Sequence, residues 1–223
     1  MLWISGIWAV LMKDLRLEFR SRYALNMLLM FVISTLVMVV YAIGQEEISP
    51  RVQSAMIWVV IMFSASVGLG RSFIGEEERG TVLLLQLNTR PDMVYAGKLL
   101  FNILLILVVN SLAFIAYIFL LGIEVERPLL FISTVVLGAI SLASATTLLA
   151  ALIARSSNQG ALLPVLLFPL LVPLLLSVVH ATQSAMAGGA GMLAAQDDLK
   201  VIVGFAGVTI TMSVLLFEYV WND

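Results

Sequence analysis

The chain has 223 residues, of which 61% are hydrophobic and 12% charged, with a formal net charge of −2. An ordinary soluble domain carries about 25% charged residues, so the composition excludes a fold that keeps itself in water and points to one solvated by lipid. Cysteine is absent, which excludes a disulfide framework, a thiolate metal site and a thiol nucleophile.

The apolar residues come in long blocks. A helix needs about 20 mostly apolar residues to cross the hydrocarbon core, and nearly every block reaches that length. The short alternating strands of a membrane barrel are missing. The expected fold class is an all-α integral membrane protein of six transmembrane helices, forming one permease-like domain over 1–223.

Residues 2–20 predict an amphipathic helix. Trp3, Ile7, Val10, Leu11, Leu15 and, fitting the stripe less well, Leu17 make its apolar face, with Lys13, Asp14, Arg16, Glu18 and Arg20 interleaved. Such a helix lies in the headgroup plane. Its mixed charges do not fit a cleavable signal peptide. Spans are expected at about 23–44, 52–73, 93–122, 128–154, 160–179 and 199–220. Pro128 falls in the first turn of the fourth, where proline is tolerated. A looser segment is expected at 180–198, and Trp221 sits where an interfacial aromatic belongs.

Orientation follows from the basic residues. With the N-terminus inside, nine of the twelve lie on the inner side and three (Arg51, Arg127 and Lys200) on the outer. The positive-inside rule therefore predicts both termini in the cytoplasm.

No catalytic constellation is visible. The single His, His180, cannot build a metal site or triad alone, and no phosphate-binding glycine loop occurs. The chain is expected to be no enzyme by itself, and energy for transport must come from a partner or an ion gradient. The spans look nearly free of charge, which argues against ion coupling. Lys98 and Arg71 are expected near inner ends, where they can snorkel. Asn26, Asn102, Asn110 and Ser111 read as interhelical hydrogen-bonding groups. Glu76, Glu77 and Glu78 read as a solvated loop.

The segment 74–92 is the most informative. Three acids precede Gly80, one or two apolar helical turns follow, and Pro91 ends the stretch. Residues 82–87 are too few to span. They suit a short helix that docks into a groove on a cytoplasmic partner or one that lies on the membrane surface.

Several motifs share an order and spacing with a known family. They are Arg71-x-Phe73, Glu76 through Gly80-Thr81, Leu84-Leu85, Pro91-Asp92, Tyr95, Gly97-Lys98 and Asn102. They resemble the second-to-third span region of the permease B subunit of the haem-exporting ABC transporter of cytochrome c maturation. The proline-spaced fifth span is similar to that family's as well, and the resemblance covers essentially the whole chain. It implies a permease in the bacterial-type inner membrane, paired as a homodimer or pseudo-symmetric dimer. An ABC ATPase subunit would bind the ATP. A second haem-handling membrane subunit and a small single-span protein would be further partners, with haem as a possible substrate. It also implies no tightly bound cofactor, no metal and no nucleic acid. The segment 74–92 becomes an ATPase-coupling element, with Glu76, Glu78, Gly80, Thr81, Leu84, Leu85, Leu87 and Pro91 as its candidate residues.

Pro164, Pro169 and Pro173 fall in one span, and each removes a backbone hydrogen bond. They read either as a hinge or path-lining broken helix or as a static kink. His180, at the outer end of that span, is a candidate haem contact with Met186 or Met192 as a second ligand. Its plainer reading is an interfacial polar residue. In the fourth span Ala139, Ala143 and Thr147, and Ser141 with Ala145, allow close helix approach, within one subunit or across a dimer seam. Two other functions fit the same sequence: the permease of another ABC exporter, for a lipid, drug or polysaccharide, or a structural membrane subunit of an enzyme complex that moves nothing.

Overall fold

The structure, a computed structural model, describes residues 2–44, 48–154, 159–187 and 192–222. Among them every regular element is an α-helix. In chain order these are α1 (Leu2–Ser21), α2 (Tyr23–Ile43), α3 (Pro50–Gly68), α4 (Arg71–Glu78), α5 (Val82–Asn88), α6 (Pro91–Leu121), α7 (Pro128–Ile153), α8 (Gln159–Ala187) and α9 (Met192–Asn222). Six stretches are long and apolar enough to cross a membrane: Tyr23–Ile43, Pro50–Glu77, Pro91–Leu121, Pro128–Ile153, Leu162–Ala187 and Ala195–Tyr219. The chain is a multi-pass membrane protein.

Helix α7 is the centre of the bundle, packed against α8 and α9 and also against α6, α4 and α3. Its small residues explain the position. Ala139, Ser141, Ala143, Ala145 and Thr147 are all fully buried, so they serve close packing within one chain, as small residues do between membrane helices. Trp58 of α3 fills the space over Gly138, where any Cβ would come within 2.4 Å of the indole. Hydrogen bonds join the helices in the same core. The Trp58 indole donates to the Thr182 hydroxyl at 2.8 Å, the Ser141 hydroxyl to the Ile202 carbonyl at 3.0 Å, and Ser144 meets Thr209 at 2.7 Å. Without water, such groups must find partners inside the protein. Helix α2 stands outside, on α3 and α6.

The sequence expectation for the fifth span is too short. Helix α8 continues past residue 179 to Ala187, and α9 already begins at Met192. His180 therefore lies within a helix rather than in a loose segment. The reason is buried periodicity: Val178, Ala181, Thr182, Ala185 and Met186 continue the inward face of α8. The glycines at 188, 189 and 191, read as an outer loop, lie outside the described residues. The second span differs too. It pauses at residues 69–70 and resumes as α4, so the three acids belong to a helix and not to a loop.

Helix α1 turns sharply into α2 at Arg22, whose backbone is left-handed with φ 50°. The Glu18 carboxylate accepts the amides of Leu25 at 2.7 Å and Ala24 at 3.3 Å. A carboxylate there faces the positive end of the α2 dipole and satisfies amides that lack helical partners. On its other side α1 runs along the first half of α6, so closely that a Cβ on Gly97 would sit 2.7 Å from the Cβ of Val10. The Trp3 indole fastens the start of α1 to Asp92 at 2.7 Å.

Gly97→Val is expected to lever α1 away from α6 and to cost about 1–3 kcal/mol as an overpacking change. Thermal unfolding in detergent, with protease sensitivity of residues 2–21, checks this. Unchanged melting would show that the α1–α6 contact is not tight.

Candidate functional site

The motif residues read along the sequence come together where α1, α4, α5 and α6 meet. Lys98, about two turns into α6, is 1% exposed. Its ammonium lies 3.3 Å from an Asp14 oxygen on α1 and 3.3 Å from a Glu76 oxygen on α4, and it donates to the Ser72 carbonyl. Lys13 bonds the same Glu76 carboxylate and lies 3.2 Å from Asp14. The Phe73 ring sits 5.3 Å from the Lys98 nitrogen, a cation–π contact. Two ammonium groups thus face two carboxylates in a closed quartet, and no net charge is buried.

The quartet overturns two expectations. Lys98 does not snorkel to water, because Asp14 and Glu76 reach it inside the protein. Glu76 is no part of a solvated face: it is 4% exposed and shared among three helices. The side chains of Arg71 and Glu78 lie outside the described residues. One turn along α6, Asn102 donates to the Thr147 hydroxyl at 2.9 Å and to Ser72 at 3.1 Å, so it bonds between helices as its residue type suggests. Among the described residues the buried Asn110 side chain has no hydrogen-bond partner, while Asn26 and Ser111 are exposed.

Helix α4 ends by a local rule. Gly80 has φ 66°, its amide reaches the Glu77 carbonyl, and the Thr81 amide reaches the Glu76 carbonyl, both at 3.0 Å. This is the left-handed glycine stop that satisfies the last carbonyls of a helix. The Thr81 hydroxyl also donates to the Glu76 carboxylate, so the turn is tied to the quartet. Helix α5 follows and stops at Thr89, after which extended Arg90 leads to Pro91 in the first turn of α6.

Helix α5 has two faces. Val82 and Leu85 pack on the cluster of Phe73, Tyr95, Phe217 and Trp221, and the Gln86 amide donates to the Trp221 carbonyl at 2.6 Å. Leu83, Leu84 and Leu87 project outward, Leu87 at 82% exposure. Of the candidate leucines, Leu85 therefore holds the helix down, while Leu84 and Leu87 are available to another surface. Leu83 joins them, and sequence reasoning missed it. The signal was present, since residues 83, 84 and 87 share a helical stripe.

The other candidates lie apart from this junction. Pro169 and Pro173 are exposed on the outer side of α8, and Pro164 is half-buried. The helix stays continuous through all three. The His180 imidazole is 49% exposed, and its Nδ1 meets Asp198 of α9 at 2.5 Å. Met186, offered as a second ligand beside His180, points inward instead, 5% exposed with its sulfur 3.5 Å from the Ser54 hydroxyl. Six residues of helix separate the two side chains by well over a quarter turn, so they do not share a face. The Met192 side chain lies outside the described residues. No group of three His, Cys, Asp or Glu able to hold a metal occurs among the described residues.

Removing one member of the quartet leaves a buried charge unpaired, which costs about 3–5 kcal/mol. Lys98→Met is expected to lower the melting temperature clearly, and Lys98→Met with Glu76→Gln to recover part of the loss. A double variant no better than the single would show that the two groups do not interact.

The family model described as CcmB protein matches residues 5–218. The chain is also 28% identical over 206 residues to heme exporter protein B of Rhodobacter capsulatus, an alignment covering 92% of this chain and 93% of that protein.

Proposed function

The chain belongs to the CcmB family, and on that premise we propose that it is the permease subunit of an ABC exporter in cytochrome c biogenesis. A separate ATPase subunit hydrolyses ATP, and this chain converts that work into haem export or release of a haem complex. The observation that carries the reading is α5. Three leucines stand in the open on a helix that is itself fastened to the bundle through Val82, Leu85, Gln86 and the turn at Gly80-Thr81. An exposed apolar helix face on a rigid mount suits insertion into a groove of a partner.

The remaining features fit the same reading. With both termini in the cytoplasm, α1, the α4–α5 turn and the inner end of α6 lie together on the side where an ATPase binds. Helix α1 lies at the headgroup level, with Trp3, Ile4, Trp8 and Phe19 exposed to the membrane boundary. An open cavity of about 460 Å³ separates α1 from α5, between Lys13 and Asn88, and gives an ATPase surface access to both. Closure of the ATPase pair then rocks the bundle as a rigid body. Two copies of this chain serve two ATPase subunits, in the inner membrane, beside a haem-handling membrane subunit and a small single-span protein. On the far side, Asp198 engages Nδ1 of His180 and leaves Nε2 as the nitrogen open to haem iron, the orientation that a carboxylate imposes on a ligating histidine.

Two measurements test this. The natural absence of cysteine makes single-cysteine labelling clean: Arg79→Cys is expected to react only from the cytoplasmic side and Glu124→Cys only from the other. The second is co-purification in mild detergent with ATPase assay. Leu84→Ser with Leu87→Ser is expected to lose the ATPase subunit, or to retain it with turnover no longer responsive to substrate. If no ATPase accompanies even the natural chain, a structural subunit becomes the better reading.

A further inference from the structure

We propose that the cavity enclosed by α1, α2 and α4 is a phospholipid site, in which Arg20 and Arg79 clasp the headgroup phosphate. The cavity has a volume of about 610 Å³ and opens outward, a size within the usual range for ligand sites. Its walls carry three carboxylates and two guanidinium groups, and the carboxylates are all engaged. Asp14 and Glu76 belong to the quartet with Lys98 and Lys13. Glu18 is held by the Leu25 and Ala24 amides at the start of α2.

The guanidinium groups are not engaged in the same way. Arg79 gives only its Nε–H, to the Gly75 carbonyl at 2.8 Å, and among the described residues neither Arg20 nor Arg79 meets a carboxylate. Both are exposed. The cavity therefore presents two positive charges at its rim, over walls in which Asp14 and Glu76 are balanced by lysines and the Glu18 charge is turned toward the amides of α2. Guanidinium groups bind phosphate through paired hydrogen bonds.

The remaining wall selects a lipid over a free anion. Leu17, Ala24, Gly68 and Phe101 line it, an apolar floor that suits glycerol and the first methylenes of an acyl chain. The exposed outer side of α2, with Met30, Ile33 and Val37, continues that surface along the bundle. The inference rests on the six helices spanning a membrane with α1 at its surface, and not on ATPase coupling. Occupancy would fix α1 against α4 beside the quartet.

The test is native mass spectrometry of the full chain released from mild detergent after incubation with phosphatidylglycerol. The natural chain is expected to retain a lipid. Arg20→Gln with Arg79→Gln should lower retention by about tenfold or more, since each lost charge-assisted bond is worth at least about 1.5 kcal/mol. Arg20→Lys with Arg79→Lys should keep most of it. Ala24→Phe, which fills the cavity without touching a charge, should exclude the lipid as well. Equal retention by the glutamine variant and the natural chain overturns the proposal. So does complete displacement of the lipid by millimolar inorganic phosphate, which would identify an anion site. Co-purifying ATPase is scored in the same samples, so failure of the coupling reading and failure of the lipid site are told apart.

Discussion

The interaction on which the junction of α1, α4 and α6 depends is the contact of the Lys98 ammonium with Asp14 and Glu76. An ammonium with 1% exposure cannot be left alone in a low-dielectric interior. Asp14 must come from α1 and Glu76 from α4, so the ion dictates that both helices close on α6. Lys13 then balances the second carboxylate. A buried ion pair is weak evidence for net stability, because desolvation offsets much of the attraction. What it does supply is position. Apolar side chains tolerate sliding along a helix, whereas four charges satisfy one another in one arrangement only.

That arrangement gives α5 its mount. The short helix has too few residues to hold itself together in water, and none of its residues is buried. It is held at both ends instead: through Thr81 to Glu76, and through Gln86 to the last turns of α9. Any force on Leu84 or Leu87 reaches α6 by the quartet and α9 by the Trp221 carbonyl. The rest of the bundle is built for stiffness, since α7 is sheathed on several sides and its small residues leave no slack around Trp58. The result is a stiff bundle with one short helix braced on its surface.

The fold class and the number of spans were legible because lipid demands long apolar blocks, a signal no other constraint imitates. The extent of α8 was not. His180, Thr182 and Ser184 lower the apolar density of its last turns, so a reading by hydropathy stops near residue 179. Yet Thr182 is buried and accepts from Trp58, a partner 124 residues away that no local pattern announces. The quartet was hidden for the same reason. Asp14, Glu76 and Lys98 each look like surface charges within their own segment, and only the α1–α6 approach at Gly97 brings them together. The helix α5 was legible because its ends are written locally, by Gly80 and Pro91.

The two ends of the molecule make different use of charge. Where α1, α4 and α6 meet, Asp14 and Glu76 are held by lysines and Glu18 by backbone amides, while Arg20 and Arg79 stand exposed at the surface. At the other end His180 and Asp198 form a pair at 49% and 17% exposure, joined across α8 and α9 but open to the surroundings. A buried, closed network holds helices in register. The closed network lies beside α5, and the exposed pair lies at the opposite end of the bundle.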